Sequence, residues 1–318
     1  MADEYIGIQQ QIRTNNLKSI LLLIGFPLLI FAAIYVVLLF TLPQDMSSIP
    51  RWQQAGNSLI EYSPTIIGVV VIWFLIAFWG HSSMISAATH SKPLERRENK
   101  RVYNLVENLC IQDGMKMPKI KIIEDSGMNA FASGLNENSY TVTLTRGIIE
   151  ELDDEELKGV IAHELMHIKN KDVRLLVITI IFVGIFSLIV QVAFRSMLYG
   201  SIGRRRNDKG GGAVILVIIV VAAVAYFLSL IFKFALSRKR EYMADSGAVE
   251  MTKNSQAMAS ALRKISGRSE VESVESEDVK EMFIEHSPKD SKGFFGTLAS
   301  WFSTHPPIEK RIEILEQF

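Results

Sequence analysis

Apolar positions along this chain follow two kinds of pattern. Four runs, Ser19 to Gln44, Tyr62 to Ser91, Leu175 to Phe194 and Gly210 to Phe232, contain no charged residue. Each reaches the roughly 20 residues that a helix needs to cross about 30 Å of hydrocarbon, so the runs predict four membrane helices arranged as two hairpins. Pro27 falls inside the first and is expected to kink it, which a membrane helix tolerates. The first run is too long for a signal-peptide core and has no small-residue cleavage site before its polar flank, so it is expected to stay as an anchor.

Elsewhere the pattern is periodic. Glu95 to Gly114 places Val102, Leu105, Val106, Leu109 and Cys110 on one side of a helix that Gly114 and Pro118 stop. Lys119 to Glu124 alternates as a short strand. Tyr140 to Thr145 alternates as a second, half-buried strand with its threonines on the wetter side. Asn129 to Gly134 lies between them, after a turn at Ser126-Gly127. Leu157, Val160, Ile161, Leu165 and Ile168 then recur at helical spacing within the stretch from Asp153 to Asp172. Asp153 and Glu156 have the spacing of a capping box, and Asp154 and Glu155 suit the positive end of the helix dipole. Further helices are expected over Leu236 to Thr252, Gln256 to Ile265 and the last residues through Leu315. Ser266 to Lys292, rich in glutamate and aspartate, reads as a solvated connection.

These elements predict an α+β fold, mainly α: four membrane helices with a small sheet next to the helix of Asp153 to Asp172. Residues 1–91 form the first membrane hairpin, 92–172 the first part of a catalytic domain, 173–236 the second hairpin and 237–318 the second part of that domain. The lysines and arginines orient the first hairpin. Arg13 and Lys18 precede it, Lys92, Arg96, Arg97, Lys100 and Arg101 follow it, and its loop holds only Arg51, so both ends are expected on the cytoplasmic side. The second hairpin conflicts with that rule, because its loop carries Arg204, Arg205, Arg206 and Lys209. Either the rule is overridden there or the pair is a shallower hairpin packed against protein.

Net charge adds little: it is zero, which gives no reason to expect a nucleic-acid partner. Gly210 to Gly212 lacks any phosphate-binding context, so no nucleotide is expected either. Cys110 is the single cysteine and excludes an internal disulfide; its apolar neighbours predict a core role.

The chemistry concentrates in His163-Glu164-Leu165-Met166-His167. On a helix, positions i and i+4 share a face, so two imidazoles can converge on one metal ion with a carboxylate beside them to take a proton from the attacking water. A catalytic zinc site wants a third protein ligand. Position 173, where a third histidine would fall, is Val173, and a glutamate some twenty residues downstream would fall within the apolar Phe186 to Leu188 region. Between Asp172 and Glu241 the only carboxylate is Asp208. Glu241 is therefore the first acid to return to the correct side, against the alternative of a surface acid paired with Arg238 or Lys239. Asp245, one turn on, can accept the free N–H of a ligand histidine, a part that Asp172 could also take. Asn129 to Gly134, with Ala130 inside it, is the candidate edge along which a substrate adds as a strand; the alternative is a hairpin that only supports the helix.

With these residues the chain resembles the HtpX family of membrane zinc metallopeptidases, relatives of the CAAX prenyl proteases. The resemblance is carried by Asn129-Ala-Phe-Ala-Ser-Gly134, by Leu157 to Asp172, by Arg240-Glu-Tyr-Met-Ala-Asp245 and by Ser303-Thr-His-Pro-Pro-Ile-Glu-Lys-Arg311. It implies a zincin-type domain in which His163, His167 and Glu241 bind Zn2+, Glu164 is the catalytic base and Asn129 borders the substrate. It further implies a protease of the cytoplasmic (inner) membrane that degrades misfolded membrane proteins, with polypeptides and the lipid bilayer as its partners. His305, a histidine outside the ligand set in a Pro-Pro setting, is the candidate second donor to the oxyanion, or else a turn-stabilising residue. His81, His90 and His286 read as ordinary residues.

Two rival readings are weighed against this. An intramembrane protease carries the same motif inside a span, with an aspartate in another, whereas here the motif precedes the apolar run. A membrane scaffold with a structural zinc site would close all four ligand positions.

Overall fold

The computed structural model describes residues 8–42, 49–178, 181, 219–220, 238–274, 282–285 and 306–317. Two compact units divide the chain. One contains Gly80–Val177 and Lys233–Phe318 together with Met1–Lys18; the other contains Ser19–Trp79 and Ile178–Phe232.

In the second unit, helix α1 (Ile8–Thr41) and the first part of helix α2 (Arg51–Thr89) leave apolar side chains uncovered, among them Ile20, Leu21, Leu28, Ile67, Val69 and Ile72. Among the described residues, these are the two helices long and apolar enough to cross a membrane. Such uncovered surface is stable against hydrocarbon and costly against water. Helix α2 begins before the apolar run that predicts it, because the Pro50 carbonyl accepts from Gln53 and Gln54 and starts the first turn. The expected second hairpin, 175–194 and 210–232, lies outside the described residues except for 175–178, 181 and 219–220.

The first unit is built on a four-stranded sheet in the order β1-β2-β4-β3, comprising β1 (Lys92–Pro93), β2 (Lys119–Ile123), β3 (Ala130–Ser133) and β4 (Thr141–Thr145). β2 and β4 are parallel, β1 and β3 are antiparallel to their neighbours, and β3 is an edge. Gly134 allows the tight return from β3 to β4: its φ is +120°, and a Cβ there would sit 2.5 Å from the Ser139 carbonyl oxygen.

Two expectations fail at the strand and helix boundaries. The threonines of β4 are not on a wet face: Thr141, Thr143 and Thr145 are all buried. β4 is a central strand, and the Thr145 hydroxyl is used internally, accepting from Asn129 N–H at 2.9 Å and facing the Asn129 carbonyl at 3.0 Å. The helix expected from Glu95 starts instead as α3 (Lys100–Asp113), because the Asn99 side chain caps it by accepting from Val102 N–H. It ends where expected, at Gly114 in the left-handed conformation. Cys110 is in the core, and burial pushes its thiol up to about 11.

A short helix α4 (Arg146–Glu151) leads into α5 (Asp154–Lys169), which carries both histidines of the motif. The capping box is present: Asp153 accepts from Glu156 N–H, and the Glu156 side chain reaches back to Asp153 N–H. Arg101 of α3 fastens this junction by donating to the carbonyls of Ile149 and Leu152. Helices α6 (Arg238–Thr252) and α7 (Ser255–Ile265) pack along α5, and α8 (Ile308–Leu315) packs on α6 and α7. Gly247 lets α6 close on α5, since a Cβ there would lie 2.3 Å from the end of the Met166 side chain.

Glu156 also accepts from Ser260 at 2.7 Å and Lys264 at 2.6 Å of α7. Burial pushes its carboxyl up, but Lys264, Ser260 and the Asp153 N–H outweigh burial and hold it below the usual range. Its folded pKa therefore lies below its unfolded one. The stabilisation is complete above the ordinary glutamate value of about 4.3 and is lost as pH falls through the lower folded value. Glu156→Gln is expected to cost about 1–3 kcal/mol at neutral pH. In thermal melts of the detergent-solubilised chain, the difference from the parent should shrink as the pH is taken below about 4.

The segment read as a solvated connection is so only in part where it is described: Ser266, Gly267, Arg268, Glu270 and Glu272 are exposed, but apolar residues between and after them are packed. Val271, Val274, Met282, Phe283, Ile284 and Glu285 are all buried. The acidic composition concealed a minority of apolar residues that dock on the sheet. Met128 N–H donates to the Arg268 carbonyl, and Asp125 accepts from Ser273 N–H.

Candidate active site

Helix α5 turns His163 and Glu164 into the core, where they are 0% and 2% exposed, and leaves His167 partly open. The two imidazoles lie one turn apart, edge to face, with their Nε2 atoms 3.1 Å from each other. Glu241 enters from α6 and completes the triangle, with Oε2 3.6 Å from His163 Nε2 and Oε1 3.4 Å from His167 Nε2. Donors about 2.0–2.1 Å from a tetrahedral zinc ion stand about 3.3 Å from one another, which these separations match. Two imidazoles and one carboxylate also suit zinc chemically, and three protein ligands leave a fourth position for water or substrate.

Each imidazole is aimed by an acid behind it. His163 Nδ1 lies 2.9 Å from Asp245 Oδ1, and His167 Nδ1 lies 3.1 Å from Asp172 Oδ2. Placing the ring proton on Nδ1 turns the Nε2 lone pair toward the metal position. Asp245 and Asp172 are thus not alternatives, since each serves one ring. Asp172 reaches His167 because α5 ends at Asn170 and Lys171 takes a left-handed φ of 60°, which turns the following residue back. Asp172→Asn and Asp245→Asn are each expected to weaken zinc binding about 10- to 100-fold. Titration against a competing chelator checks this, and parental affinity in both variants would contradict it.

Electrostatics follow from burial. Burial favours neutral His163, but Asp245 and Glu241 outweigh it and raise the imidazole to about 9. A metal ion arriving at neutral pH therefore displaces a proton there. Burial also pushes the Glu164 carboxyl up, with His163 and His167 opposing it, and the Ala132 N–H donates to it. Glu164 is accordingly placed beside the metal position and next to β3, in reach of the strand where substrate is expected.

The sequence pattern gave no role to Arg311. This arginine of α8 is 0% exposed and donates to Asp245 through Nε at 2.9 Å and Nη2 at 2.7 Å. Its Nη1 donates to the Ile284 carbonyl at 3.1 Å and lies 3.7 Å from Glu241 Oε2. Burial pushes Asp245 up, and Arg311 and His163 hold it down at about 2. The available signal was an arginine on the buried stripe of α8, between Ile308 and Leu315.

Asn129 and Ala130 lie on and beside the edge strand. Their polar groups are engaged within the chain: Asn129 Nδ2 donates to the carbonyls of Ser269 and Glu285, both at 2.7 Å, and the Ala130 carbonyl accepts from Ile284 N–H at 2.8 Å. His305 lies outside the described residues.

Residues 96–318 match the sequence pattern of peptidase family M48. The chain is 55% identical to a protein of Bacteroides fragilis named protease HtpX homolog, over 99% of this chain and 100% of that protein. It is 37% identical to a protein of the same name from Listeria monocytogenes, over 96% of this chain and 98% of that one. The crystal structure of S. mikatae Ste24p superimposes with a TM-score of 0.48 at 18% identity, covering 96% of this chain and 66% of that chain.

Proposed function

Because this chain belongs to peptidase family M48, we propose that it is a membrane-held zinc endopeptidase that hydrolyses peptide bonds of misfolded or damaged membrane proteins at the cytoplasmic face. The observation that carries the reading is the convergence of His163, His167 and Glu241, each 3.1–3.6 Å from the next, with a buried carboxylate alongside. Zinc, when bound, supplies Lewis acidity that acidifies water and polarises the scissile carbonyl. The chain's own residues do the rest. Asp245 and Asp172 hold the two imidazoles in orientation, and Glu164 takes the proton of the attacking water and passes it to the leaving amine. The edge strand β3 aligns an extended substrate by main-chain hydrogen bonds.

The uncovered apolar faces of α1 and α2 support the membrane anchorage, and the excess of lysine and arginine flanking the first hairpin supports the cytoplasmic side. His305 is proposed as a further donor to the developing oxyanion, on its position in the sequence alone.

The test is metal removal from the purified full-length chain. It is expected to carry about one zinc ion per molecule, with three protein ligands and one exchangeable position. Chelation is expected to lower cleavage of an unfolded reporter polypeptide by at least about 100-fold, and added zinc to restore it. Activity that survives complete chelation would remove the reading. So would a tightly held ion without turnover, which is the behaviour of a structural site.

A further inference from the structure

An edge strand is useful to a protease only if its outward main-chain groups are available, and here the Ala130 carbonyl is taken by another segment while the Ala130 N–H donates to Asn129 Oδ1. Asn129 turns its carbonyl toward β4, where Thr145 N–H donates to it. Ala130 and Ala132 therefore turn their groups to the other side, the side of Glu164, whose carboxylate accepts from Ala132 N–H. On that side run residues 282–285. Ile284 N–H donates to the Ala130 carbonyl at 2.8 Å. The Glu285 peptide is gripped at both ends by one side chain: Asn129 Nδ2 donates to its carbonyl at 2.7 Å, and its N–H faces Asn129 Oδ1 at 3.4 Å.

Ile284 on Ala130 and Glu285 on Asn129 set the segment running opposite to β3 through one main-chain bond: the Ala130 N–H donates instead to Asn129 Oδ1 at 3.1 Å, and the Ile284 carbonyl accepts from Arg311. In that register Phe283 falls beside Phe131, and the two rings meet edge to face at 5.3 Å. Phe283 and Ile284 are each 2% exposed, and Arg311 holds the Ile284 carbonyl with the guanidinium that clamps Asp245.

We propose that residues 282–285 are an internal occupant of the substrate edge: Ile284 takes the Ala130 carbonyl and Glu285 takes the Asn129 side chain, groups that an extended polypeptide needs there, and a substrate enters by displacing them. The inference rests on the protease reading and adds a selection rule to it. A competitor must present consecutive unpaired N–H and C=O groups to β3 and an aromatic or large aliphatic side chain to Phe131. Unfolded apolar polypeptide meets both conditions, and a folded surface meets neither.

The full-length zinc-loaded chain in detergent tests this in two ways. Ile284→Pro removes the N–H that the segment donates to Ala130. An occupant that holds the edge less tightly competes less, so KM for an unfolded reporter polypeptide should fall about five-fold or more with kcat unchanged. Unchanged or raised KM would make the segment a fixed wall of the cleft and overturn the proposal. The second measurement does not depend on turnover or on that variant folding. In Glu164→Gln chains saturated with the same polypeptide, amide exchange at residues 283–285 should quicken relative to the unliganded chain, and unchanged protection would also overturn it. Failure of the underlying protease reading looks different, because the parent chain itself would then cleave nothing.

Discussion

Glu164→Gln should hold zinc as tightly as the parent and cleave an unfolded polypeptide about 10²- to 10⁴-fold more slowly. Glutamine has the same shape, so it fills the same buried place on α5 without a cavity, and its amide can still face the Ala132 N–H through its oxygen. It cannot take a proton. The residues placed to hold the metal are His163, His167 and Glu241, so the substitution is expected to leave that set intact. Zinc content by elemental analysis and turnover measured on one preparation separate the two effects. Parental turnover would end the assignment of Glu164, and loss of zinc would move it into the coordination sphere.

Arg311→Met is expected to cost about 3–5 kcal/mol of stability, the penalty for leaving a buried partner charge without its counter-ion. Arg311 is the cation that Asp245 pairs with in the core, and Glu241 and Glu285 also contribute to holding it protonated. Without it Asp245 is pushed back toward its protonated form and stops orienting His163, so zinc binding should weaken along with stability. Arg311→Lys should recover part of the loss, because an ammonium restores charge but not the two-pronged contact. Thermal unfolding and chelator competition on the detergent-solubilised chain give both quantities. A variant that melts with the parent and binds zinc equally well would remove Arg311 from this role.

What could be read from the sequence was local. The capping box at Asp153 and Glu156, the i and i+4 histidines, the stop at Gly114 and three of the four strands all depend on residues within a turn or two of each other, and those patterns survive into the structure. Glu241 was reachable by elimination, because so few acids lie between Asp172 and α6. The remainder depends on pairings across long separations. That Asp172 and Asp245 each serve one histidine follows from the left-handed turn at Lys171 and from the packing of α6 on α5. The burial of the β4 threonines depends on β4 being central, which alternation along one strand cannot reveal. Residues 282–285 were hidden by the acidic composition around them, and β1 is only two residues long.

The residues that converge at the site and their supports lie on either side of a long stretch of sequence: His163, His167 and Asp172 come before it, and Glu241, Asp245 and Arg311 come after. Order of synthesis therefore sets when hydrolytic power can arise. A ribosome that has translated only as far as the lysine and arginine run before Glu241 has made two imidazoles and no third donor. The nascent chain lacks the third donor until Glu241 has been added, so competence arrives only with the last eighty or so codons.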